Sequence, residues 1–222
     1  MALRKEEITR KLLHLFALLM PVGIFYLPKF SLSPLIAAGV LAFLFAGSVV
    51  VEYLRFRIPM IQKIFYIFFG SMLRDEESGK TTGSTFVIGA ALLCAILFTL
   101  FTNKFHVAFM VLFIFILGDA IAAIVGQSIG RIKIGKKSLE GSLACFLMCL
   151  LLFFGVFPFF PGLLDSWHGK VSVPIAVMVA LSTTIFELVP LKITRNFVIN
   201  DNLAVPVISG FLMIGMEKLL GF

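Results

Sequence analysis

The chain has 222 residues, of which 60% are hydrophobic and 14% charged, and its mean hydropathy is +1.07. So much of any water-soluble fold of this size is surface that this apolar content could not be hidden, and a soluble domain is excluded. The net charge of +7 needs no nucleic-acid partner, because the placement of the basic residues along the chain accounts for it.

Runs of about 17–22 apolar residues recur, the length that crosses ~30 Å of hydrocarbon. The expected fold is an all-α integral membrane protein, one polytopic domain over 1–222, with about seven transmembrane helices (six to eight) and one interfacial helix. The charged start MALRKEEITRK leads into the first run, 12–28, which contains Pro21. No small-residue cleavage pattern stands out after Tyr26, so this helix is read as retained. The second run is 32–54. The stretch after it, RFRIPMIQKIFYIFFGSML (55–73), is short, begins with basic residues and carries Gln62 and Lys63. It predicts an interfacial or re-entrant helix, with an eighth span as the alternative. The remaining spans are expected at 84–101, 105–126, 139–160, 172–191 and 203–221. Cys94, Cys145 and Cys149 lie in apolar runs with no histidine or acid around them, and read as buried small hydrophobes.

Charge sets the orientation. With the N-terminus in the cytoplasm, the inner segments hold 15 of the 19 basic residues, leaving Lys29, Lys104, Lys170 and Lys218 outside. Ten of the 12 acids fall on or near the same inner face, with only Asp165 and Glu217 outside. Topology does not require inner acids. Their gathering points to a polar site at the cytoplasmic surface. His106 and His168 fall on the outer side and read as surface residues, and Trp167 as an interfacial anchor.

The fourth span runs into FILGDAIAAIVGQSIGRIKIGKKSLEGSLACF. Asp119 lies inside an apolar run, where an ionised carboxylate is costly and usually functional, here as a Mg²⁺ ligand or general base. Asp119, Ala122, Ala123, Gly126 and Gly130 share one narrow helix face of small side chains. For the glycines, close helix packing is an equal alternative to ligand approach. Gly130 to Lys136 fits G-x-x-x-x-G-K, but Lys137 follows where Ser or Thr is needed, and the preceding element is a membrane helix. A Walker A loop is therefore rejected. Ser138 is a candidate N-cap for the fifth span, its free N–H groups lying beside Lys136 and Lys137, a combination suited to phosphate. An ordinary capped helix has no evident use for Glu140 and Gly141.

The run GDAIAAIVGQSIGRIKIGKKSLEGSLACF resembles the signature of the CTP-dependent lipid-alcohol kinases: dolichol kinase, phytol kinase and the CTP-dependent diacylglycerol kinase. The carrying residues are Asp119, Lys137, Ser138, Glu140, Gly141 and Ser142. RKLLH (Arg10, Lys11, His14), VEYLR (Glu52, Arg55) and RDEESGKTTGSTF (Arg74, Glu77, Gly79, Thr82, Gly83, Thr85) resemble other inner segments of that family. So does FELVPLKITRNFVINDNLAVP, with Glu187, Asp201, Asn202 and Pro206.

The resemblance implies transfer of the γ-phosphate of CTP to the hydroxyl of a membrane lipid alcohol. The acceptor could be a polyprenol, phytol, another isoprenoid alcohol or diacylglycerol. Asp119, Glu187 and Asp201 are then the expected Mg²⁺ ligands, and Asp119 the first choice of base, with Glu187 and His14 as further catalytic candidates. Lys136, Lys137, Arg74, Thr82, Gly83, Gly126, Gly130 and the turn Ser138–Ser142 are expected around the nucleotide. A phosphatidate cytidylyltransferase is the runner-up, although its D-R-x-D-S pattern is missing. A transporter or scaffold is the alternative of another class, weakened by the lack of an internal repeat. Small size and the lack of appended domains suggest a prokaryotic cell membrane. Nothing in the sequence bears on oligomeric state.

Overall fold

The computed structural model describes residues 15–70, 73, 79–189, 191–194 and 197–222, and side chains within 192–198 are not described. Among these the chain is all-α, with eight α-helices. They are α1 (Leu19–Tyr26), α2 (Pro34–Arg57), α3 (Pro59–Phe69), α4 (Gly83–Cys94), α5 (Phe105–Ser128), α6 (Leu139–Leu151), α7 (Val173–Leu188) and α8 (Asp201–Leu220). Two antiparallel ladders, β1 (Lys133–Ile134) with β2 (Lys137–Ser138) and β3 (Lys192–Thr194) with β4 (Phe197–Val198), shape turns at one end.

Five helical segments are long and apolar enough to cross a membrane, as an integral membrane protein requires: 34–57, 83–100, 105–128, 139–159 and 201–220. Wider turns, Ala95–Leu100 and Leu152–Val156, extend α4 and α6 to that length. The sequence anticipates spans at 12–28 and 172–191 as well. Among the described residues these form shorter apolar helices, Leu19–Phe30 and Val173–Leu188. The segment 55–73 contributes the 11-residue α3, at ~1.5 Å per residue too short to cross hydrocarbon. No residue of α3 is buried, and it packs mainly on α2, to which Pro59 joins it at a sharp corner.

α5 is the hub. It is apolar all round, as a helix enclosed by others must be, and α1, α4, α6, α7 and α8 all pack on it. α6 approaches it most closely. A methyl group on Gly126 would stand 2.8 Å from Ser138 Oγ, and one on Gly141 would stand 2.6 Å from the Ala122 carbonyl. On Gly130 it would collide with the Gly126 carbonyl. Helix packing thus accounts for all three glycines. α2 is the opposite case, with only 17% of its apolar window buried.

Because consecutive long helices run up and down, their ends collect at two poles. One pole gathers the C-terminal ends of α2, α5 and α7 and the N-terminal ends of α4, α6 and α8. At the other, Lys29 donates to the Pro161 carbonyl at 3.0 Å and Glu217 meets His106 and Trp167. Two sequence expectations fail here. His106 is 5% exposed and Trp167 1% exposed, so neither is a surface or interfacial residue. The reason is Glu217. One of its oxygens accepts from Trp167 Nε1 at 2.7 Å and meets His106 Nε2 at 2.5 Å. Its other oxygen forms an ion pair with Lys104 at 3.0 Å. A buried carboxylate needs such partners, and drew them inward.

Candidate functional site

At the first pole a cavity of about 690 Å³ is lined by Asp119, Lys136, Lys137, Ser138, Glu187 and Asp201 on one side. The volume is that of a small-molecule site. Glu52, Thr82, Gly83, Gly126, Gly141, Ser142 and Asn202 also border it. Most of the predicted site residues that are described, drawn from six helices and two loops, therefore share one space, whereas Gly130, Glu140 and Arg55 do not line it. His14, Arg10, Lys11, Arg74 and Glu77 lie outside the described residues.

α5 carries Asp119 to the cavity half-buried, directly after Gly118, whose missing side chain lets Cys145 pack against the helix. Asp119 is within electrostatic reach of Glu187, so two carboxylates of different helices face one volume. Glu187, 6% exposed at its side chain, ends α7. Asp201 opens α8, where Asn200 caps the helix by accepting from Asn202 N–H at 3.0 Å. Asn202 Nδ2 donates to the Gly83 carbonyl at 3.1 Å, tying α8 to the start of α4.

Lys137 joins the acids. Its ammonium stands 2.8 Å from Glu187 Oε1 and 2.8 Å from Asp201 Oδ2, and donates to the Glu187 carbonyl. Burial opposes its charge, but Glu187 and Asp201 outweigh burial and hold it above the ordinary lysine value of 10.5. The lysine's share of the triad's stability is therefore complete throughout the neutral range and is lost as pH rises past the ordinary lysine value. The sequence anticipates Lys137 on a phosphate. In the structure it bridges two carboxylates.

The turn 130–142 is built tightly. The G-x-x-x-x-G-K run folds as a hairpin, with Lys133 opposite Ser138 and Gly135 in the left-handed region at φ +62°. Ser138 is the N-cap of α6, accepting from Gly141 N–H at 3.2 Å, and Ser142 Oγ donates to the Ser138 carbonyl at 3.1 Å. Glu140 accepts from the N–H groups of Arg131 at 2.9 Å and Ile132 at 3.1 Å. Glu140 and Gly141 are thus both used by the capped turn, one as a clamp and one for close packing, which corrects the reading of them as surplus.

Glu52 also borders the cavity, and Arg55 stands behind it. Glu52 accepts from Thr82 N–H at 2.9 Å, Thr82 Oγ1 at 2.6 Å and Arg55 Nε at 2.6 Å. Arg55 also donates to the Lys80 carbonyl at 2.5 Å and lies over the Phe65 ring at 4.6 Å. The pair latches the loop before α4 to the end of α2 and fixes α3 through Phe65. Glu52 and Thr82 act here as builders of the cavity wall.

No protein-family model matches the chain, and no solved structure matches it. A curated protein of Rickettsia prowazekii (strain Madrid E), described as uncharacterized, is 26% identical over 204 residues, covering 90% of this chain and 89% of its own length. That similarity extends the sequence to a second organism and assigns no activity. The function must be argued from the site.

Proposed function

We propose that this protein is a membrane kinase that transfers the γ-phosphate of CTP to the hydroxyl of a membrane lipid alcohol at the cytoplasmic face. The observation that carries the reading is one cavity with two kinds of wall. Asp119, Glu187, Asp201 and Lys137 line one part of it, and Phe16, Leu44, Val51 and Phe69 line another. A reaction between a charged donor and an apolar acceptor needs both. In this reading seven helices span the bilayer with the N-terminus inside, α3 lies at the interface, and the acidic–basic pole faces a prokaryotic cytoplasm. The resemblance to the CTP-dependent lipid kinases supplies the donor.

Phosphoryl transfer asks the protein mainly for positioning and charge neutralisation. The acceptor hydroxyl attacks the γ-phosphorus, the bond from that phosphorus to the β–γ bridging oxygen breaks, and CDP departs with the electron pair. The hydroxyl proton passes to Asp119. Lys137, released from Glu187 and Asp201 as the nucleotide arrives, neutralises the phosphates with Lys136. The carboxylates supply the hard oxygen donors that Mg²⁺ takes, and one or two of them plus phosphate oxygens suffice for that ion. Among the described residues no three His, Cys, Asp or Glu side chains converge, and Lys137 stands between Glu187 and Asp201. With Asp119 taking the proton, Glu187 or Asp201 would hold the ion once Lys137 turns away, Asp119 being the ligand only if another carboxylate is the base. Bound Mg²⁺ would supply charge neutralisation of the β- and γ-phosphates.

The test uses purified protein in detergent with Mg²⁺, mixed lipid alcohols, diacylglycerol and phosphatidate, and CTP labelled at either the α or the γ position. Label from γ in lipid is expected, and the labelled lipid identifies the acceptor. Label from α in lipid means a cytidylyltransferase and overturns the kinase. Transfer from neither position, with ATP also negative, overturns both.

A further inference from the structure

The apolar part of the cavity is made by three elements that have little else in common. α1 contributes Phe16 from its approach and Met20, α2 contributes Leu44 and Val51, and α3 contributes Phe65 and Phe69. Each of these elements presents its other side outward. Phe43 on α2 is 78% exposed and Ile67 on α3 78% exposed. The cavity wall is therefore one helix layer thick, with bilayer-facing side chains directly behind it. Phe65 is held against Arg55, so the polar latch and the apolar wall meet at one ring.

In the middle of the wall sits Gly47. Glycine inside a helix is unfavourable relative to alanine and is normally offset by a close neighbour. Gly89 of α4 is such a case, because a methyl there would meet Phe45 Cε2 at 2.9 Å. At Gly47 a methyl would meet nothing within 4 Å. Packing does not call for this glycine, yet it borders the cavity. The next residue, Ser48, turns its hydroxyl back onto the Phe45 carbonyl at 2.8 Å, so its polar atom is satisfied within its own helix. Gly47 and Ser48 thus border, with Leu44 and Val51, the same space that Asp119 and Lys137 border, and among the described residues nothing crowds the position of a methyl at Gly47.

We propose that the wall of α1, α2 and α3 receives the part of the acceptor's apolar tail nearest its hydroxyl, which enters sideways from the bilayer, and that Gly47 sets the width available to it. The occupant is a membrane lipid alcohol because one cavity joins apolar side chains, on helices that also carry strongly exposed apolar residues, to carboxylates and a lysine. The inference deepens the kinase reading and borrows from it only the reaction at the head group. Gly47 is a specificity-determining residue in this account. A side chain there would begin in open space among the described residues, and a bulky one would narrow the cavity.

The experiment uses the full chain in lipid nanodiscs. The probe is a long-chain isoprenoid alcohol with a photoactivatable diazirine early in its tail, competed with the unmodified alcohol. Cross-links are mapped in wild type, Gly47→Ala and Gly47→Phe, with thermal unfolding of each variant measured. Transfer of γ-label from CTP to the unmodified alcohol is followed in parallel. Expected are competed cross-links on the wall residues, unchanged in Gly47→Ala and reduced about tenfold in Gly47→Phe, a 1.4 kcal/mol effect. Competed cross-links confined to other helices, with γ-label still transferred, would overturn the wall and leave the kinase standing. Wall cross-links without transfer would keep the lipid site and overturn the kinase. Uniform labelling of all bilayer-facing helices that the alcohol does not compete away would overturn the site outright. The wild-type map alone decides among these if Gly47→Phe loses its fold.

Discussion

The two poles of this protein solve the same problem in opposite ways. Each brings carboxylates and cations out of water and into a helical bundle. At the pole of Glu217 the buried carboxylate is closed upon its partners, 1% exposed between Lys104, His106 and Trp167. At the pole of Asp119 the charges border an open cavity, with Lys137 28% and Asp201 34% exposed at their side chains. A sealed cluster can hold helices together but offers nothing to a ligand. An open one pays in stability for groups that a ligand can recruit. The difference separates structural polarity from candidate chemistry within one chain.

The largest expected effect sits at the open pole. Asp119→Asn should lower γ-phosphate transfer about 10²–10⁴-fold, the range for loss of a general base, with unchanged thermal unfolding in detergent. Full activity with a normal fold would remove Asp119 from the chemistry. At the sealed pole the readouts should exchange. Glu217→Ala leaves His106, Lys104 and the Trp167 N–H facing a buried gap, and should cost about 3–5 kcal/mol of stability in thermal unfolding. Turnover per folded molecule should hold within about twofold, because the poles share no partner. A variant that keeps its stability but loses turnover would break the contrast.

Lys137→Ala should reduce transfer about 10²-fold, as for removal of one charge-stabilising donor. Glutamate at this position, tested alongside, should be no better than alanine if the ammonium acts on phosphate. Equal transfer by wild type and Lys137→Ala would leave the lysine as a structural bridge between α7 and α8. The smallest effect is expected from Ser138→Ala, which deletes the cap of α6 and should cost about 1 kcal/mol. Its nucleotide affinity, measured by titration of CTP, should fall only as far as the turn loosens.

The open pole is largely legible in the sequence, because its residues are anomalies. An aspartate inside FILGDAIAAIV or a glutamate closing an apolar run has few bland explanations in a membrane helix. Inner acids beside inner lysines stand out against a topology rule that explains only the lysines. What cannot be read is which partner each group takes. Lys137 meets Glu187 and Asp201 across 50 and 64 residues, and nothing local shows that it faces acids first. The glycines are equivocal for the same reason, since their role depends on the distance between two helices. The sealed pole is illegible altogether. His106 and Glu217 are 111 residues apart, and each singly has an ordinary reading as a helix-end decoration. Helix count suffers at the ends, where α1 and α7 come out shorter than their hydropathy suggests.

The sparse packing of α2 has its own consequence. A helix with so little protein around it takes much of its solvation from whatever surrounds the bundle, and it is held by its packing on α4 and by the Glu52–Arg55 latch at one tip. If the cavity is the proposed catalytic chamber, acyl chains of the host membrane are the outer course of masonry behind it. Changing their length or fluidity would reshape that chamber without touching a single residue, so the surrounding lipid would act as a built-in modulator of turnover.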